Sequence, residues 1–278
     1  MNALKTTFLL GAMTGLLLAM GELLGGRDGL TLALLLAGVM NFGAWFWSDK
    51  IVLRMYNAQP VGPSEAPELY AIVQGLAQKA GVPMPKLYLI PDPALNAFAT
   101  GRGPSHAAVA ATVGIVKAMD REELEGVLAH ELSHVINRDT LVSTVAATLA
   151  GAISFLARSL MFRGRGRDEG GNPLAALLVM IVAPIAAMLI QMAISRTREY
   201  SADAASAQYT GSPDGLARAL GKLREASERV PMQGVEPATA HLFIVNPLSG
   251  RALGRLFSTH PPLEERIDRL MAMKGQLG

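Results

Sequence analysis

Two histidines flank a glutamate in the run His130-Glu131-Leu132-Ser133-His134. On a helix, residues four apart share a face, so both imidazoles can reach one zinc ion while Glu131 holds and deprotonates a water beside it. These are the parts required to hydrolyse a peptide bond. A catalytic zinc takes three protein ligands and keeps a fourth position open, so one ligand is missing from the run. Of the remaining histidines, His106 and His241 have no partner pattern and read as surface residues, which leaves His260 and the acidic side chains. Glu199 stands out by position. His134 lies six residues before one apolar segment and Glu199 four residues after another, so a hairpin between them would bring both to one level, roughly 5 to 10 Å from the segment ends at 1.5 Å per helical residue. From spacing alone, Glu199 is either that ligand or a solvated charge in Arg196-Thr197-Arg198-Glu199. Asp203, one helical turn after Glu199, is placed to accept a hydrogen bond from a ligating imidazole. A scaffold that merely stores a structural zinc is the competing reading, and Glu131 argues against it, because such a site needs no general base.

The histidine run needs a helix to carry it. Asp120-Arg121-Glu122-Glu123 has the spacing of a capping box, and Leu124, Val127, Leu128, Leu132 and Val135 follow as an apolar stripe of helical period. Upstream, residues 65–79 form an amphipathic helix ended by Gly81 and Pro83. Residues 86–90, 96–100 and 107–116 read as short strands separated by Pro- and Gly-containing turns. Downstream, residues 196–208 read as helix, Ser212-Pro213-Asp214 starts another that runs through 229, and 261–271 forms a last one. Between them, 231–254 is a long loop with 242–245 extended. The fold class is α+β, predominantly helical, with a small sheet just before the histidine helix.

Half of the residues are hydrophobic and only 17% are charged, below the usual quarter for a soluble domain. Four apolar stretches carry the excess, at 6–24, 30–47, 140–162 and 173–195, each near the twenty residues that cross a bilayer as a helix. Trp45 and Trp47 close the second stretch, where amphipathic rings favour the membrane interface. The stretches pair into two hairpins. The chain therefore divides into a first transmembrane hairpin (1–48), a first part of the protease domain with the histidine run (49–139), a second hairpin (140–195), and a second part (196–278) on the same side as the first. Basic residues near the segment ends, six on one side and five on the other, do not assign that side. The chain has no cysteine, so neither disulfides nor thiolate ligands are available. A net charge of +2 gives no footprint for nucleic acid, and the basic residues suit the lipid bilayer's anionic headgroups.

Four blocks in order, Asn96-Ala97-Phe98-Ala99-Thr100-Gly101, the histidine run, Arg198-Glu199-Tyr200-Ser201-Ala202-Asp203 and Ser258-Thr259-His260-Pro261-Pro262, resemble the HtpX-type membrane zinc metalloproteases, gluzincin-like relatives of the CAAX prenyl proteases. The resemblance spans nearly the whole chain. It implies a zincin-like domain with one zinc per chain, Glu199 as the third ligand, and a catalytic domain facing the cytoplasm from the bacterial inner membrane. It also implies polypeptide substrates, misfolded or damaged membrane proteins among them, and a place for His260 and Arg266 facing the site as oxyanion or substrate contacts. Asn96 opens a segment suited to be an edge strand that pairs an extended substrate backbone. Kinship admits processing of prenyl peptides as an alternative, although four segments offer little material for a large enclosed chamber. Cleavage inside the bilayer is disfavoured, because charged Arg121-Glu122-Glu123 and Asn137-Arg138-Asp139 bracket the histidine helix.

Overall fold

The computed structural model describes residues 2–150, 196–230, 232, 235, 239–245 and 261–274. Helix α1 (Asn2–Met55) breaks at Gly25 and Gly26 and folds back on itself. Gly26 has φ +54°, a conformation that only glycine adopts without penalty. The two arms touch at small residues: a Cβ on Gly29 would lie 2.2 Å from the carbonyl oxygen of Gly21. Further along, Asn41 donates to the Leu10 carbonyl at 3.2 Å and to Thr14 Oγ1 at 2.8 Å, which fixes the antiparallel pairing.

Among the described residues one helix, Gly25–Met55, is long and apolar enough to cross a membrane, and Thr6–Ala19 and Asp139–Ala150 are shorter apolar helices. The first two expected membrane segments fall on the arms of α1. The third begins in Asp139–Ala150 and runs out of the described residues, and the fourth, 173–195, lies outside them altogether.

Strands β1 (Gln59–Val61), β2 (Lys86–Ile90), β3 (Ala97–Gly101) and β4 (Ala107–Thr112) form one sheet in the order β1-β2-β4-β3. β2 and β4 are parallel, whereas β1 and β3 pair antiparallel at the two edges. Both faces are covered. Leu87, Ala97, Ala99, Val109 and Ala111 join the main core under helices α2 (Pro67–Ala80) and α4 (Arg121–Ile136). Ile90, Phe98, Ala108 and Ala110 point the other way, to Val52, Leu53 and Tyr56 at the end of α1 and to Ala147. The period-2 alternation of strand side chains thus splits between two cores, so every residue of β3 and β4 is buried. The sheet ties the α1 hairpin to the histidine helix.

Two sequence expectations shift. The strand expected over 107–116 stops at Thr112, whose side chain accepts from the Ile115 N–H and caps a short helix, α3 (Val113–Ala118). β1, only three residues long and containing Pro60, is not an expectation of the pattern.

The capping box at the start of α4 is present: the Glu123 N–H donates to Asp120 Oδ1 at 2.9 Å and the Asp120 N–H to Glu123 Oε2 at 2.8 Å. α4 then packs between α5 (Arg196–Thr210) and α6 (Asp214–Arg229). The α4–α6 crossing is close enough that a Cβ on Gly126 would sit 2.6 Å from the Leu216 backbone nitrogen. On the α5 side, Ser206 Oγ donates to the Gly126 carbonyl at 2.7 Å. Helix α7 (Leu263–Ala272) closes the group against α5 and α6.

This packing reverses the usual sign of a glycine substitution. Gly→Ala inside a helix normally stabilises by about 1 kcal/mol through propensity. At Gly221 of α6 no atom lies within 4 Å of the added methyl, so Gly221→Ala should raise the thermal unfolding midpoint. At Gly126 overpacking at about 1–3 kcal/mol outweighs that gain, and Gly126→Ala should lower the midpoint in the same assay. Equal shifts in one direction would contradict the close α4–α6 crossing.

Candidate metal centre

His130, Glu131 and His134 project from α4, Glu199 and Asp203 from α5, and Arg266 from α7. One ligand atom from each of His130, His134 and Glu199 can be chosen so that all lie within 4.8 Å of one another. The two imidazole Nε2 atoms are 3.3 Å apart. His130 Nε2 lies 3.8 Å from Glu199 Oε2, and His134 Nε2 3.6 Å from Glu199 Oε1. A tetrahedral ion with bonds of roughly 2.0 to 2.1 Å separates its donors by roughly 3.3 to 3.4 Å. The two distances run to different oxygens of the carboxylate, so two nitrogens and the Glu199 carboxylate at these spacings fit a zinc ion after a small adjustment of the Glu199 side chain. Glu131, also buried, shares with these three a cleft of about 40 Å³ bounded by Ala99, Asp139 and His241.

With both Nε2 atoms turned inward, each Nδ1 faces a carboxylate. His130 Nδ1 is 2.9 Å from Asp203 Oδ1, and His134 Nδ1 is 3.4 Å from Asp139 Oδ2. Arg266, with no exposed surface, holds Asp203 in a two-pronged bond, Nη2 to Oδ1 at 2.7 Å and Nε to Oδ2 at 2.9 Å. Arg198 Nη1 donates to Asp139 Oδ1 at 3.1 Å.

The charges set the two imidazoles apart. Burial, then the Arg266 guanidinium, push His130 down to about 4 against the pull of Asp203. Burial also opposes charge on His134, but the hydrogen bond to Asp139 and the carboxylates of Glu199 and Glu131 outweigh it and hold that ring at about 9. Asp203 feels the same burial, and Arg266 and His130 overcome it to keep its carboxyl below the usual range.

Other residues singled out in the sequence fall elsewhere. Asn96 is buried outside the cleft lining, its side chain donating to the Val245 carbonyl at 3.0 Å. Arg266 sits behind His130 and also donates to the Ile244 carbonyl at 3.3 Å. His260 lies outside the described residues. His106 is exposed, as expected. His241 is not a surface residue: it is buried, lines the cleft, and places Nε2 3.1 Å from the Ser143 carbonyl oxygen. The signal for its burial is the apolar run Leu242 to Val245 that follows it. Asp139 escapes a sequence reading, because five residues after His134 is not a helical neighbour spacing.

The sequence matches peptidase family M48 over residues 63–274. Proteins named Protease HtpX homolog align along almost the entire chain. That of Desulfatibacillum aliphaticivorans is 58% identical, covering 100% of this chain and 91% of its own. That of Syntrophobacter fumaroxidans is 54% identical, covering 97% and 98%, and that of Methylibium petroleiphilum is 53% identical, covering 99% of both. The crystal structure of S. mikatae Ste24p superposes with a TM-score of 0.51 at 20% identity, over 97% of this chain. The chain spans 64% of that protein's length, and the likeness is one of fold.

The separation of the two imidazoles gives an expected pH dependence. Metal binding requires both rings neutral. At pH 7 His130 is already neutral and His134 is protonated, so binding a zinc ion should release about one proton from His134. Affinity should rise by about tenfold per pH unit from this group and level off above its titration. Calorimetry in two buffers of different ionisation enthalpy counts the proton; zero release at pH 7 would contradict a protonated His134.

Proposed function

The chain belongs to peptidase family M48 and is a metalloprotease, and from that premise we propose that it is a membrane-anchored zinc endopeptidase with His130, His134 and Glu199 as ligands and Glu131 as general base. The observation that carries the assignment is the convergence of the three ligand groups, with one atom of each within 4.8 Å of the others, and Glu131 beside them in one cleft. When bound, zinc supplies Lewis-acid polarisation of the scissile carbonyl and acidifies water. The Glu131 carboxylate accepts the proton of the attacking water and passes it to the leaving amine.

The β3 edge supports binding of an extended polypeptide. The Ala97 carbonyl accepts from the Ile244 N–H at 3.1 Å and the Gly101 carbonyl from Thr140 Oγ1 at 2.9 Å, so alternate residues of β3 turn their polar groups outward. Ala99 lies between them and lines the cleft. Its main chain is positioned to pair with substrate backbone, a mode that reads conformation rather than sequence. Such recognition suits misfolded or damaged membrane proteins.

The anchoring is read as two helical hairpins, four spans in all, with the protease parts 49–139 and 196–278 on the cytoplasmic face of a bacterial inner membrane. Support comes from the second arm of α1, where Leu32, Leu35 and Val39 are 65–71% exposed, a face suited to lipid. At its end Trp45 and Phe46 lie under the Arg102 guanidinium, 5.5 and 4.4 Å from the ring centroids, an arrangement suited to the headgroup level.

Substitutions separate the roles. Glu131→Gln should keep zinc and lose about 10²- to 10⁴-fold in cleavage of an unfolded model protein, as expected for removal of a general base. His134→Ala and Glu199→Ala should lose zinc along with activity. Undiminished cleavage by Glu131→Gln, or full zinc content in Glu199→Ala, would overturn the assignment.

A further inference from the structure

Resting on the assignment of His134 as a zinc ligand, we propose that Asp139 and Arg198 form a positioning pair for that ring, held in place by a left-handed turn at Arg138. The backbone as well as the side chains holds this arrangement. α4 ends at Ile136 and Asn137 remains helical, but Arg138 adopts φ +57°. That is a strained conformation for a residue with a Cβ. The Arg138 side chain is exposed, so the strain is not kept to bury it. What the turn achieves is to direct the next residue, Asp139, back along α4, where its Oδ2 meets His134 Nδ1 at 3.4 Å. Backbone strain that persists beside a functional group points to a role for the geometry it enforces.

Arg198 completes the pair from a different element. It precedes Glu199 on α5, so one helix delivers a ligand to the metal centre and a cation to the carboxylate behind another ligand. Its bond to Asp139 Oδ1 at 3.1 Å leaves Oδ2 for the imidazole. The carboxylate is nearly enclosed, 6% exposed, and the guanidinium is 17% exposed. A pair this buried gains little from solvent-exposed Coulomb attraction and costs desolvation, so it is weak evidence of stability for its own sake. Its geometry repeats that around His130, where Asp203 receives the Nδ1 proton and Arg266 holds Asp203. In both cases a carboxylate that receives Nδ1–H leaves the Nε2 lone pair free for the metal and fixes the ring plane.

The partners come from the two ends of the segment 140–195. Asp139 begins the apolar helix Asp139–Ala150, and Arg198 lies three residues into the stretch after it. Orientation of His134 therefore depends on these ends meeting, just as that of His130 depends on α5 bringing Asp203 to α4.

The full-length protein in detergent micelles tests this with two readouts, zinc affinity by chelator competition and the tautomer of His134 by ¹⁵N chemical shift in the metal-free protein at pH above its titration. The wild type should show the Nδ1–H form. Asp139→Ala should populate the Nε2–H form and weaken zinc binding about 10- to 100-fold. Arg198→Gln should act in the same direction, Arg198→Lys should recover most of the loss, and Asp139→Ala combined with Arg198→Gln should be no weaker than Asp139→Ala alone. Arg138→Gly should keep both readouts, whereas Arg138→Val, β-branched and intolerant of positive φ, should lose them. Asp139→Asn, which keeps shape and an acceptor oxygen, covers the case in which Asp139→Ala does not fold, and should show a smaller loss. An unchanged tautomer, zinc affinity within about twofold of wild type, or losses that add in the double variant would each overturn the pair. Failure of the wild type to bind zinc would instead overturn the ligand assignment, while the tautomer measurement would still decide the pair.

Discussion

The burial of charge around His130 and His134 is the constraint that the rest of this structure answers to. Four acidic residues, Glu131, Asp139, Glu199 and Asp203, are each at most 5% exposed as whole residues. Two guanidinium groups, Arg198 and Arg266, face them. This leaves an excess of two negative charges, which a divalent cation held by two neutral imidazoles would cancel. A buried uncompensated charge is costly enough that proteins normally neutralise or pair it. The donor set is thus matched to zinc in charge as well as spacing, and the high titration point of His134 reflects the same carboxylates acting on an ionisable ring.

Holding those charges together requires helices that approach closely and stay put. α4 is the hub. Its start is fixed by the Asp120–Glu123 capping box, its middle by the bare backbone at Gly126 against α6, and its α5 side by the Ser206 bond to the Gly126 carbonyl. α5 then brings Glu199 and Asp203 to the histidines one turn apart, and α7 inserts Arg266 from behind. The sheet does two jobs: its alternating side chains bind the α1 hairpin to the histidine helix, and its β3 edge runs past the cleft. The histidine helix, the apolar α1 hairpin and the β3 edge share one packed unit, an arrangement that suits the proposed hydrolysis close to a bilayer.

Much of this is legible in the sequence because the decisive signals are local. The spacing of His130 and His134, the capping box at Asp120 and the apolar stripe of α4 each lie within one helix. β2 is legible at its observed limits, since Lys86 to Ile90 is bounded by turn residues. Glu199 needs more than spacing: pattern alone leaves it open between ligand and solvated charge, and the family resemblance supplies the choice. The features that escape depend on tertiary contacts. Asp139 reaches His134 only through the left-handed turn at Arg138, His241 is buried by a segment distant in sequence, and Arg266 faces Asp203 rather than the cleft. β4 ends early because Thr112 caps α3, a local competition between strand and helix that apolar composition does not reveal.

The proposed ligand set of two imidazoles and the Glu199 carboxylate is the arrangement on which the account of the centre rests. X-ray absorption at the zinc edge of the purified full-length protein tests it most directly. The spectrum should show a shell with two imidazole nitrogens at roughly 2.0 to 2.1 Å completed by oxygens, and loss of one oxygen donor in Glu199→Ala loaded at high zinc concentration. A shell containing three imidazoles, with His241 or His260 in place of Glu199, would contradict it.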